Sequence, residues 1–227
     1  MKIDKYNSFK TYRQMLSKKT KERFGLDSSF KWNNDPRQFF ISLSRYKFVA
    51  KMLQGKKNVL EVGCGDGFNS RIVKQEVHNL DISDNGKIFK KYTKITNSKK
   101  WNINFFEHDF IKNKSDKIYD AIYFLDVLEH IPQKKEKTFI ENILYSLEAN
   151  GVLVIGIPTL EFQKFSRPKL YSGHINCKTA KKLRSLLDIY FGNVFIYSMN
   201  DECVHTGFDK MACYLIAICT NKKINVL

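Results

Sequence analysis

The stretch Val59-Leu-Glu-Val-Gly-Cys-Gly-Asp-Gly67 joins a short apolar run to glycines at every second position, Gly63, Gly65 and Gly67. Glycines so placed let the backbone turn tightly and let a ligand approach main-chain atoms closely. A dinucleotide fingerprint would need glycine at position 68, where Phe68 stands, and no P-loop lysine follows. Glu61, inside the apolar run, disfavours a pyrophosphate and suits a cationic ligand. Further carboxylates end later apolar runs: Asp81 in Leu80-Asp-Ile82, Asp109 in Glu107-His-Asp-Phe110, and Asp126 after Leu125. A carboxylate at the position of Asp81 can accept from both hydroxyls of a ribose. Taken alone, it reads equally well as a turn or helix cap.

Five histidines add proton chemistry. His78 opens a strand at the wrong end of the expected sheet and reads as structural, and His108 flanks Asp109. His130, His174 and His205 fall in loops on the expected active face, and His174 is the leading base. Asp126, Glu129, His130, His174, Glu202 and His205 could together supply metal ligands. No tight ligand spacing joins them, so no metal is expected. Cys64 and Cys177 lie near that face and need no chemical role.

The elements that must position these residues follow from periodicity. A basic helix is expected over 5–24. Asp35-Pro36 opens another helix, with Phe39, Leu43, Tyr46, Ala50 and Leu53 on one face and Gly55 as its stop. Strands are expected at 58–62, 77–82, 101–107, 119–125 and 151–157, with helices at 68–76, up to about 97, at 133–148 and at 178–190. Two closing strands, 193–199 and 211–220, read as an antiparallel pair at the sheet edge. Strands alternating with helices predict a Rossmann-like α/β fold. Its seven-stranded, mostly parallel sheet would carry helices on both faces, with ligands beyond the carboxyl ends of the strands.

Composition bounds the function. The chain has 227 residues, 43% hydrophobic and 14% aromatic, enough for one large domain with a real core. No apolar run approaches roughly 20 residues, so no membrane span is expected, and the first residues lack the pattern of a signal peptide. Five scattered cysteines without a C-x-x-C pair fit a reducing, cytoplasmic setting rather than a disulfide framework. The net charge is +16, carried by 32 lysines and only seven arginines, and residues 1–57 alone hold 15 basic against four acidic residues. A lysine-rich surface facing an anionic small molecule explains this better than nucleic-acid binding.

The Glu61–Gly67 stretch resembles motif I of the class I S-adenosylmethionine (SAM)-dependent methyltransferases, and the resemblance extends over about residues 40–220. It implies SAM as cofactor, with S-adenosylhomocysteine as product. Glu61, Gly63, Cys64, Gly65 and Asp66 would form its cradle. Asp81 and Ile82 would meet the ribose, Asp109 and Phe110 the adenine, and Leu125 and Asp126 the methionine moiety. The loop after the fifth strand, which holds His174, is where related enzymes place a substrate-facing histidine. Residues 1–55 would cap the cofactor and 56–227 form the core, with an acceptor lid around 159–177. Arg37, Arg45 or Tyr46 could reach the SAM carboxylate.

Ser44–Leu53, Gly173–Cys177 and Phe195–Gly207 look similar to bacterial methyltransferases of surface-polysaccharide biosynthesis, including those acting on capsule phosphoramidate. That likeness implies an oxygen of a sugar, nucleotide-sugar or phosphorylated precursor as acceptor. An RNA or protein methyltransferase is the competing reading. Against it, the Asn/Asp-Pro-Pro-Tyr/Phe signature of base-amine methylation is missing, the fourth strand ending instead in Leu125-Asp-Val-Leu128. A SAM-binding regulator without turnover is a third reading.

Overall fold

The computed structural model describes residues 24–87, 89–96, 101–165 and 173–223. All but the last residue of the expected basic helix at 5–24, and residues 166–172 of the expected lid, lie outside them. Helices α1 (Leu26–Asn34) and α2 (Pro36–Met52) come first. Then follow β1 (Asn58–Val62), α3 (Ser70–Lys74), β2 (Asn79–Asp84), α4 (Phe89–Thr96), β3 (Asn104–Glu107) and β4 (Tyr119–Leu125). A 3-10 turn at Leu128–His130 leads to α5 (Gln133–Tyr145), β5 (Leu147–Pro158), α6 (Ala180–Leu187), β6 (Phe191–Asn200), β7 (Cys203–His205) and β8 (Tyr214–Lys222).

The eight strands form one sheet in the order β3-β2-β1-β4-β5-β8-β6-β7. β3, β2, β1, β4 and β5 are parallel. β8 runs antiparallel to both of its neighbours, β5 and β6. The expected antiparallel pair is thus β6 with β8, and β8 lies two strands in from the rim. β7, too short to read from the sequence, pairs antiparallel with β6 and makes the eighth strand and the rim.

The sheet is buried on both faces, so its central strands are mostly apolar rather than alternating, with Glu61 in β1 a buried exception. On one side α5 and α6 bury Phe139, Ile140, Ile143, Leu183 and Leu187 against Ile122, Phe124 and Ile155. On the other, Val49, Ala50 and Leu53 of α2 pack with Val73, Val77 and Leu80. Helix α2 begins where Asp35 caps it, accepting from the Gln38 N–H at 3.2 Å, with Pro36 in the first turn. Helix α2 contributes Val49 and Ala50 to this layer.

Two glycines are fixed by geometry. Gly63 has φ +76° and a Cβ there would stand 2.3 Å from Val127 Cγ2; Gly67 has φ +69° and a Cβ would stand 2.8 Å from Ile82 Cδ1. The β1–α3 turn therefore depends on glycine for both its conformation and its packing.

Candidate active site

The carboxyl ends of β1, β2 and β4 converge on a cleft of about 460 Å³ lined by Gly63, Gly65, Asp66, Asp84, Leu125 and His130. The register places Val62 beside Ser83, so the next residue on β2, Asp84, lies at the glycine turn. Its Oδ2 accepts the Gly65 N–H at 3.0 Å and its Oδ1 the Gly86 N–H at 2.8 Å. Burial pushes the Asp84 carboxyl up, and the backbone donors at Gly86 and Gly65 oppose the shift.

Asp81 is elsewhere. It sits mid-strand, buried, bonded to Lys117 Nζ at 2.5 Å, Tyr119 Oη at 2.9 Å and Asn104 Nδ2 at 3.3 Å. The expected strand end at Ile82 was two residues short; β2 continues to Asp84. Ile82 is packed in the core rather than open to the cleft. Asp84 is thus the residue that sequence reasoning missed. The signal was present in the pairing length: β2 matches all of β1 and runs one residue further.

Asp109 lines a small cavity of about 70 Å³ with Gly63, Asp84 and Val127. Its Oδ1 accepts the Ile111 N–H at 3.0 Å, and Lys112 pairs with it at 3.1 Å. Phe110 and His108 line the same cavity, their rings 4.4 Å apart. Asp66 turns towards α1, taking the Ser28 N–H at 2.9 Å and the Ser28 hydroxyl at 3.2 Å. This contact docks α1 on the glycine turn, and Gly25 packs directly on Asp66.

Glu61 does not line the cleft. Buried beneath it, the carboxylate accepts from Tyr46 Oη at 2.6 Å, Ser70 Oγ at 2.5 Å and Tyr123 Oη at 2.8 Å. Burial pushes its pKa above the ordinary carboxylate value while these three donors pull it back. Its role is a strut joining α2, α3, β1 and β4. Cys64 lines the cleft as a buried thiol pushed well up by burial and then by Glu61.

A second cavity of about 280 Å³ adjoins the first, lined by Gln38, Arg45, Asp126, Phe162, His174 and Tyr214. Asp126 faces both cavities, at φ +57°. Arg45 Nη1 holds its two oxygens at 3.0 and 2.8 Å, and the guanidinium lies 3.7 Å over the Tyr214 ring. Arg45 and Tyr46 are thus already paired, with Asp126 and Glu61.

His130 and His174 meet, with ring centroids 5.0 Å apart. His130 Nδ1 lies 2.9 Å from the Gly173 carbonyl, which can only accept, so Nδ1 carries the proton. His174 is held below the ordinary imidazole value by burial and then by His130. Glu129 completes the group: ligand atoms of Glu129, His130 and His174 all lie within 4.8 Å of one another. Burial and then Asp126 push the Glu129 carboxyl well above the usual range. His205 does not join them. Its Nδ1 accepts the Gly207 N–H at 2.9 Å, and Nε2 therefore donates to Asn200 Oδ1, also at 2.9 Å. Glu202 lies across the α2 N-terminus, in a different groove.

The fold and the paired cavities at the strand ends define a Rossmann-like methyltransferase architecture. Residues 34–190 match the family model for a methyltransferase domain, and the chain belongs to that family. It is 26% identical over 153 residues to a ubiquinone biosynthesis O-methyltransferase of Rickettsia canadensis, a match covering 62% of this chain and 63% of that relative. The match therefore spans less than two thirds of the relative's length. Among solved structures, the N-methyltransferase NodS from Bradyrhizobium japonicum, in complex with S-adenosyl-L-homocysteine, aligns with TM-score 0.65 and 17% identity over 86% of this chain and 93% of that one. A TehB-like SAM-dependent methyltransferase from Corynebacterium glutamicum aligns with TM-score 0.59 and 16% identity, over 96% and 97% of the two chains. Among the described residues no helix is long and apolar enough to cross a membrane.

Proposed function

We propose that the protein transfers the methyl group of SAM to an oxygen of a small-molecule acceptor. The observation that carries this reading is the position of Asp84, opposite Leu125 and Asp126 across the glycine turn, in a cleft that adjoins a second cavity lined by both charged and apolar side chains. The residues fit the cofactor. A Cβ at Gly65 would meet nothing within 4 Å, so the turn presents bare backbone to the cleft. Asp84 replaces Asp81 as the ribose partner, Asp109 and Phe110 flank the adenine, and Leu125 and Asp126 border the methionine moiety. Helix α1, held by Asp66, covers the cleft.

SAM supplies an activated methyl on a sulfonium, so the protein's main task is alignment of nucleophile and methyl, worth up to about 7–11 kcal/mol. The acceptor occupies the second cavity, where Asp126 sets its position relative to the cofactor. An oxygen nucleophile must also lose a proton, and the wall formed by His174, His130 and Glu129 is where it does so. Gln38, Asp126 and Asp201 at this cavity offer hydrogen-bonding partners to a hydroxyl-bearing acceptor, while its cations are paired, Lys31 with Asp27 and Arg45 with Asp126. The narrower reading of a nucleotide-sugar or phosphorylated capsule precursor rests on the sequence likeness of residues 44–53, 173–177 and 195–207. The ubiquinone O-methyltransferases among the relatives support oxygen as the acceptor atom. The five free cysteines suit residence in the cytoplasm.

Calorimetry with S-adenosylhomocysteine tests the reading. Micromolar binding that weakens at least about tenfold in Asp84→Ala, with a much smaller change in Asp81→Ala, is expected. A folded wild-type protein that binds neither SAM nor S-adenosylhomocysteine would overturn it.

A further inference from the structure

We propose that Glu129, His130 and His174 bind a divalent transition-metal ion, of the zinc, cobalt or manganese kind, and that the acceptor oxygen is its exchangeable ligand. The inference rests on the methyltransferase reading, because it assigns the ion to that reading's acceptor cavity.

The first argument is an orphaned carboxylate. Glu129 is completely buried, yet neither of its oxygens has a hydrogen-bond partner among the described residues. Burying a carboxylate without partners is costly enough that native structures pair such groups or use them on metals. Its neighbour Asp126 already has a cation, Arg45. Glu129 has none in hydrogen-bonding contact, and an ion at this point would supply one.

The second is the orientation of the histidines. His130 spends its Nδ1–H on the Gly173 carbonyl, which leaves Nε2 as a lone-pair donor aimed at the cluster, 4.0 Å from Glu129 Oε1. A backbone carbonyl on the far nitrogen is the usual support of a metal-binding imidazole. The third is rigidity. The N–H groups of Ile175 and Asn176 both donate to the Glu129 carbonyl at 2.9 Å, so the loop bearing His174 is stitched to the turn bearing the other two residues.

The spacing is close to what an ion needs. Three ligands with bonds of about 2.0–2.2 Å around a tetrahedral ion stand roughly 3.3–3.6 Å apart. The present atoms lie within 4.8 Å, so the side chains must draw together by up to roughly 1.5 Å, a rotamer-scale adjustment. Two imidazoles and one carboxylate favour a borderline transition ion over magnesium or calcium, and three protein ligands leave coordination open. His174 lines the acceptor cavity and His130 the cofactor cleft, so the open side lies where the two meet. There the acceptor O–H would ionise on the metal, its proton passing to solvent. The oxygen lone pair then forms the O–CH₃ bond while the C–S bond breaks, its electron pair remaining on sulfur.

The test uses the untagged full chain, freed of metal by chelation and titrated with Co²⁺ and Zn²⁺ by calorimetry, with visible absorption of the Co²⁺ form. One ion per chain and a nitrogen-ligated Co²⁺ spectrum are expected. Glu129→Gln and His174→Ala should each weaken binding at least about tenfold, while His205→Ala leaves it unchanged. His174→Ala alters a half-buried loop residue and keeps the test readable if the Glu129 variant fails to fold. S-adenosylhomocysteine binding is measured on the same samples. Wild type that binds it but takes no stoichiometric metal, or takes metal equally well in both variants, overturns the metal site alone. Metal binding without cofactor binding supports the site and overturns the methyltransferase reading.

Discussion

Two glutamates are almost equally hidden from solvent, Glu61 at 1% and Glu129 at 0% exposure, and they are treated in opposite ways. Glu61 collects three hydroxyl donors from three different elements and ties the floor of the cofactor cleft together. Glu129 collects none and stands beside two imidazoles at the acceptor cavity. A buried carboxylate with a full set of donors is part of the scaffold. One left without donors is kept for something that arrives later.

The sharpest way to break this comparison is at the scaffold end. Glu61→Ala would leave three buried hydroxyls without their acceptor and should cost about 3–5 kcal/mol, read as a fall of about 10 °C or more in thermal melting. A fall of only a degree or two would put Glu61 on the same footing as Glu129. Tyr123→Phe removes one donor and should cost about 1.5–3 kcal/mol, measurable by urea unfolding, with cofactor affinity little changed.

The two residues should also separate under mutation to glutamine. In chelator, Glu129→Gln should melt within about 1 °C of wild type, because it exchanges one buried polar group without hydrogen-bond partners for another of the same shape. Zinc at about 100 times the wild-type dissociation constant should then stabilise wild type by about 2.7 kcal/mol and the variant by no more than about 1.4 kcal/mol. The smallest effect is a slope. Because burial raises Glu61 above its unfolded value, the native state holds its proton longer. Stability from this group is greatest below the ordinary value of 4.5 and is lost as pH rises through the shifted one. Glu61→Gln should remove that component from a melting-temperature profile between pH 4 and 8; an unchanged profile would count against it.

Much of the fold could be read from residue patterns, and the site less evenly. Asp35-Pro36, the glycines at 63, 65 and 67 and the apolar strands carry local signals strong enough to place α2, β1, β4 and β5. Asp84 was hidden because Asp-Asn-Gly86 has turn chemistry, and pattern alone cannot tell a strand's last residue from a turn's first. His205 lies in a loop on the right side of the sheet, but Asn200 and Gly207 occupy both of its nitrogens. Glu129 sits in Leu-Glu-His, where charge alone suggests solvent; only the packing reveals it as buried.

The sheet order also bears on synthesis. β5 and β6 leave the ribosome before β8, the strand that must lie between them. Until then the nascent chain carries two open strand edges, at β5 and β6, which invite mispairing. Folding of this half of the sheet is therefore deferred until translation has passed residue 222, while β1 to β4 can already assemble around the glycine turn.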